Sequence, residues 1–119
     1  IALYSAHGTG TIQNDPLELA VLESVLGKTQ FRATPIQAVK ANIGHTLAAA
    51  GTVEIAVAIE SLRRCLTPPI ANCESPINAD ALLVRDSPRS LKNGVALSCS
   101  SGFGGSNAAV VLGLVSNED

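Results

Sequence analysis

The 119-residue chain has no methionine and no tryptophan, and one tyrosine and two phenylalanines are its only aromatic residues. Its 46% hydrophobic content is therefore carried largely by Ala, Val, Leu and Ile. These side chains allow close backbone approach, as helices packed on sheets require. The formal charge is only −2, with no basic stripe and no interleaved aromatics, which argues against a nucleic-acid partner. No apolar run approaches the roughly 20 residues of a membrane span, and the N-terminus lacks the basic region of a signal peptide. No membrane partner is expected, and the expected location is cytoplasmic or organellar. Cys65, Cys73 and Cys99 are odd in number and show no CxxC spacing. That argues against a disulfide framework and favours a reducing compartment. The length fits one domain. With no methionine, and with the apolar run Ile1-Ala2-Leu3-Tyr4 already under way at residue 1, the chain reads as a fragment entered in mid-strand.

What is present is an alternation of apolar strands, glycine turns and helical patterns. Residues 1–6 run as a strand into His7-Gly8-Thr9-Gly10-Thr11, a loop with close backbone approach. Asn14 or Asp15 can cap a helix with Pro16 in its first turn, and Leu17, Val21, Leu22, Val25 and Leu26 recur at helical spacing until Gly27 ends the run. Ile36 to Lys40 alternates as a second strand. Asn42-Ile43-Gly44-His45-Thr46 is again a strand-to-helix turn, and a helix from about Leu47 to Arg64 is apolar nearly all round, as helices buried between layers are. Glu54 inside it needs a partner, because an unpaired buried carboxylate is costly. Residues 66–93 read as an irregular connection with a short strand near Ala81 to Val84. Val95–Ser98 and Ala108–Leu112 then read as an antiparallel pair about a glycine-rich turn, and 117–119 as a frayed polar end.

Both histidines lie at ends of apolar strands, beside glycine and just before a helix, and Lys40 ends the same strand that leads to His45. In open α/β sheets that edge is where ligands bind. Taken singly, each histidine is more often a satisfied structural residue than a catalyst.

Three longer motifs carry more. Ala6-His7-Gly8-Thr9-Gly10-Thr11, followed by Asn14-Asp15-Pro16-Leu17-Glu18, resembles the first histidine motif of β-ketoacyl synthases in the form common in polyketide and multifunctional fatty acid synthases. Val39-Lys40-Ala41-Asn42-Ile43-Gly44-His45-Thr46 is similar to their lysine and second-histidine motif, and Gly102-Phe103-Gly104-Gly105-Ser106-Asn107 to their closing glycine-rich loop. The resemblance implies an α/β fold, the C-terminal half of a five-layered thiolase-like fold, with a mixed sheet packed with helices over residues 1–119. It implies an acyltransferase that performs decarboxylative Claisen condensation of an acyl thioester with a malonyl thioester, with substrates carried on the phosphopantetheine of an acyl carrier protein and no bound cofactor. Expected partners are that carrier, the chain's own N-terminal half and, in the full enzyme, a second copy in a homodimer.

By the same resemblance, His7 and His45 hydrogen-bond the thioester carbonyl while CO2 leaves, a task suited to donors aimed where enolate charge develops. A helix N-terminus after His45 should favour its neutral form. Lys40 sets the electrostatics of the site and Glu54 is linked to it. Thr9 and Thr11 contact the phosphopantetheine arm, and Phe103 gates the acyl pocket or serves as a hydrophobic plug. Ser5 departs from the family, which has an acidic or amide residue there, and could loosen the loop that aims His7.

The family's nucleophilic cysteine belongs to an N-terminal elbow that residues 1–119 do not contain. Ser98-Cys99-Ser100-Ser101 imitates it on paper but follows both histidines, so Cys99 reads as a core or loop cysteine. The His and Cys spacings match no zinc pattern, and Gly102-Phe103-Gly104-Gly105 lies between strands, unlike a dinucleotide loop. Two alternatives remain: a non-catalytic, chain-length-factor-like subunit, which tends to lose the catalytic groups kept here, and more remotely a thiolase, whose C-terminal Cys-x-Gly-Gly-Gly loop is absent. A chain of this kind is expected to expose a large apolar face.

Overall fold

The apolar opening residues form β1 (Leu3–Ser5) at the centre of a four-stranded sheet. A computed structural model describes residues 1–115, so the polar end expected at 117–119 lies outside the described residues. β1 pairs in parallel with β2 (Ile36–Gln37) on one side and β5 (Ala96–Ser101) on the other, and β5 pairs antiparallel with β6 (Asn107–Leu112), giving the order β2-β1-β5-β6. The sheet is mixed, as expected.

Parallel strands need cover on both faces, and successive β1 residues supply two different contact sets. Tyr4 joins Leu19, Leu22 and Phe31 of α1 (Asn14–Ala33) with Ile36 of β2. Leu3 joins Ala58 and Leu62 of α3 (Ala50–Arg64) with Leu91 and Ala96.

α1 does not stop at Gly27, as the sequence pattern suggests. It breaks there, with φ 73° and ψ 156°, and resumes to Ala33. At roughly 100° per residue an unbroken helix would put Phe31 on the face opposite Leu22. The glycine re-phases the chain so that both enter one core, where Phe31 is fully buried. Neither Asn14 nor Asp15 caps α1 by its side chain. Instead the Asn14 amide donates to Thr11 Oγ1 at 3.2 Å, and the Asp15 carboxylate accepts the Gly10 amide.

Other expectations shift. The second strand ends at Gln37, and Lys40 opens a single helical turn, α2 (Lys40–Ile43). The helix expected from Leu47 is a 3-10 turn over Leu47–Ala49 followed by α3. It is buried on one side only, through Ala50, Glu54, Ala58, Ser61 and Leu62, because among the described residues one sheet lies against it. The strand expected at Ala81–Val84 is one parallel bridge, Leu83 to Ile36. In that connection an unforeseen antiparallel pair forms between β3 (Leu66–Thr67) and β4 (Arg89–Ser90), two-residue strands too short to show periodicity.

Leu17, Val21 and Val25 make an exposed apolar stripe along α1, and the edge strand β6 exposes Val110 and Val111. Among the described residues no helix is long and apolar enough to cross a membrane. Open strand edges and apolar patches promote association. A polypeptide of residues 1–119 is therefore expected to self-associate with rising concentration in light scattering, whereas a monodisperse monomer at all concentrations would contradict this. Phe31→Ala should cost about 3–5 kcal/mol of stability in urea unfolding.

Candidate active site

The first residues of the loop leaving β1 are held by one carboxylate. Glu18, on the first turns of α1, accepts the His7 amide at Oε1 (2.7 Å) and the Gly8 amide at Oε2 (2.9 Å). Asn14 Nδ2 donates to Oε2 at 3.1 Å and the Tyr4 hydroxyl to Oε1 at 2.9 Å. Gly8 is obligatory for two reasons: its φ is +45°, and a Cβ there would stand 2.7 Å from Ala38 Cβ. Ser5, expected to loosen this loop, is fully buried and leaves the clamp intact. It lies in register with Gln37 and Ser98 in a buried polar row, and Gln37 Oε1 accepts the Thr67 hydroxyl.

Lys40 and Glu54 form a buried ion pair, the ammonium donating to Glu54 Oε1. Lys40 Nζ also donates to the His7 carbonyl at 2.7 Å and lies 3.4 Å from His7 Nδ1. Ser100 Oγ approaches Glu54 Oε2 at 3.4 Å. The pairing expected for Glu54 is thus present. The helical turn of α2, in place of a strand end, is what turns the lysine back beneath the first histidine.

His45 stands between α2 and the 3-10 turn, with Nδ1 accepting the Leu47 amide at 3.0 Å. An accepting Nδ1 places the proton of a neutral imidazole on Nε2. The same reasoning applies to His7, whose Nδ1 faces the Lys40 ammonium. The two rings are 6.0 Å apart by their centroids and inclined at 87°. Burial, and then the Lys40 charge, lower the pKa of His7 from its ordinary value, so its neutral form is favoured. In its neutral form each ring therefore carries its proton on Nε2.

A cavity of about 570 Å³ opens beside His45, lined among others by Thr9, Gly10 and Lys40; His7 is not among its lining residues. Residues 70–73 and 75–77, Asn72 and Cys73 among them, also line it; they fall in the irregular connection of the sequence and carry no motif that marks them. The Thr9 and Thr11 hydroxyls are 3.1 Å apart, and only Thr9 lines this cavity. Phe103 is fully exposed at the β5–β6 turn, so it plugs nothing within the described residues and is not gathered with the histidines. Cys99 is a core-strand residue of β5, packed against the Tyr4 cluster, and burial raises its pKa, which keeps it a thiol. Burial raises Cys73 likewise, and Cys65 is the exposed left-handed residue that ends α3. The clamp by Glu18 was visible in sequence only as a carboxylate in the first turns of a helix after a glycine loop, where backbone N–H groups collect.

Residues 1–74 match the family model described as the β-ketoacyl synthase C-terminal domain. The chain is 39% identical over 109 residues to a putative polyketide β-ketoacyl synthase 1 of Streptomyces halstedii, covering 91% of this chain and 26% of that protein. It is 43% identical over 115 residues to a highly reducing polyketide synthase of Gibberella zeae, covering 90% of this chain and 4% of that protein. It thus spans about a quarter of the length of the first of these relatives and far less of the second. In structure it resembles a type II polyketide ketosynthase solved with its acyl carrier protein and bound to the hexaketide, with a TM-score of 0.88, 32% identity, and coverage of 98% of this chain and 28% of that one. With its mixed sheet and helices arranged as in these ketosynthases, the chain belongs to the β-ketoacyl synthase C-terminal domain family, of thiolase-like fold.

Proposed function

We propose that residues 1–119 form the C-terminal domain of a longer β-ketoacyl synthase and supply the groups that decarboxylate a malonyl thioester during polyketide or fatty acid chain extension. The observation that carries this reading is the pair of imidazoles, each with Nδ1 occupied by a protein donor and Nε2–H left to donate. The malonyl thioester carbonyl accepts from both His7 and His45. As the bond to the carboxylate carbon breaks, CO2 leaves, and the electron pair passes into an enolate whose oxygen the two donors stabilise. The enolate carbon then attacks an acyl thioester held on a cysteine supplied from outside these residues, and that thiolate departs. Lys40 acts through its charge and its hold on His7, and Glu54 neutralises it within the protein.

The extender unit arrives on the phosphopantetheine arm of an acyl carrier protein, and the cavity beside Thr9 suits such an arm in size and position. Thr9 lines that cavity, and Thr11, whose hydroxyl is 3.1 Å from that of Thr9, contacts the arm with it. Phe103, exposed on its turn, is available as the gate to an acyl pocket completed by the rest of the synthase. The remaining part of the enzyme and a second copy in a homodimer would cover the exposed apolar stripe and the β6 edge.

In the full-length synthase, His7→Ala and His45→Ala are each expected to slow malonyl decarboxylation about 10²- to 10³-fold; decarboxylation at the wild-type rate in both variants would refute the assignment. A polypeptide of residues 1–119 alone should show no condensing turnover and no stoichiometric acylation of Cys99 by an acyl thioester, as read by intact-protein mass spectrometry. An NMR titration should find the midpoint of His7 below the ordinary value of about 6.5, so that its ring stays neutral as pH falls through 6.5.

A further inference from the structure

Tyr4 is the one tyrosine of the chain, it lies in the central strand, and its side chain is almost wholly buried. Nothing in the proposed chemistry uses it directly. Its hydroxyl nevertheless ends at the carboxylate that holds the first histidine.

A carboxylate offers about four lone-pair sites, and all four of the donors described for Glu18 come from the loop, the helix start and β1. Oε2 takes Gly8 N and Asn14 Nδ2, while Oε1 takes His7 N and the Tyr4 hydroxyl. Three of these donors belong to the segment that Glu18 must fix or to the helix start beside it. Tyr4 alone ties the carboxylate to the rigid sheet, where its residue pairs with Ile36 on one side and Leu97 on the other. Burial keeps water from easily replacing the hydroxyl, and together with the Glu18 charge it holds the phenol in its neutral, donating form.

We infer that Tyr4 is a positioning residue for His7: its hydroxyl locks the Glu18 carboxylate in the orientation that fixes the His7 and Gly8 amides, and so aims the His7 ring. The inference rests on the decarboxylation role proposed above only for its kinetic consequence. The positioning itself is a property of the amides and can be read without turnover.

The test uses the full-length synthase with Tyr4→Phe, Glu18→Gln and the double variant. Tyr4→Phe removes one oxygen and keeps the packing volume, and a melting temperature near the wild-type value identifies a folded variant. Hydrogen exchange of the His7 and Gly8 amides should accelerate at least about tenfold in Tyr4→Phe. Malonyl decarboxylation should lose about tenfold in kcat with KM little changed, because a misaimed donor weakens only the transition state. Since Tyr4 acts through Glu18, the double variant should be no slower than Glu18→Gln alone. Unchanged protection of the His7 amide in Tyr4→Phe, or additive losses in the double variant, would overturn the inference. If the wild-type synthase does not decarboxylate malonyl thioesters, the proposed function fails, and the exchange rates still decide the role of Tyr4. Should Tyr4→Phe fold poorly, exchange in Glu18→Gln decides instead, since unaltered protection there would show that the clamp does not hold the loop.

Discussion

The site depends on a buried ion pair. Burying Lys40 and Glu54 together is unfavourable unless the remaining hydrogen-bonding capacity of each is met, and here it is met by the functional loop itself. The ammonium has three protons and three acceptors around it: Glu54, the His7 carbonyl and His7 Nδ1. The pair joins the loop leaving β1, the start of α2 and the early turns of α3, while Ser100 brings in β5. Four elements therefore converge on one charge pair. Removing either partner would strand a charge in the interior, so electrostatic satisfaction and the placement of the first histidine cannot be separated.

The two histidines are prepared by different means. His7 is held at both ends of its residue, by Glu18 on the amide and by Lys40 on the carbonyl and ring. His45 is exposed and is oriented locally by the Leu47 amide, two residues along. One is thus coupled to the whole sheet and the other to its own turn. Changes in distant packing reach His7 more readily than His45.

Much of this was legible from sequence because the chemistry sits at strand ends marked by glycine. The strand-end placement of both histidines, the apolar centre of β1 and the antiparallel β5–β6 pair followed from pattern, whereas the roles of His7 and His45 and the link of Glu54 to Lys40 came from the family resemblance, the residues alone saying only that Glu54 needs a partner. Three things were not legible. The alternation of Ile36 to Lys40 resembles a strand, yet the Lys40 side chain reaches His7 and Glu54 only because the chain turns into a helix after Gln37. Gly27 looked like a terminus, and only the position of Phe31 in the core shows that it resets a helix. The apolar surface of α3 promised burial on all sides, whereas one sheet covers one side of it. In each case tertiary contacts decided what local pattern left open.

The β5–β6 turn carries a consequence for how the chain can change in length. Six residue pairs in register run from Ala96–Leu112 to Ser101–Asn107, and Leu112 packs on the core while Val111 faces solvent. Because strand side chains alternate faces, a slip of one residue would take Leu112 off the core and put a neighbour in its place. The segment around Phe103 is therefore poorly tolerant of single insertions or deletions even though it is exposed, and changes of two residues are the smaller perturbation. Its length, as much as its composition, is under constraint.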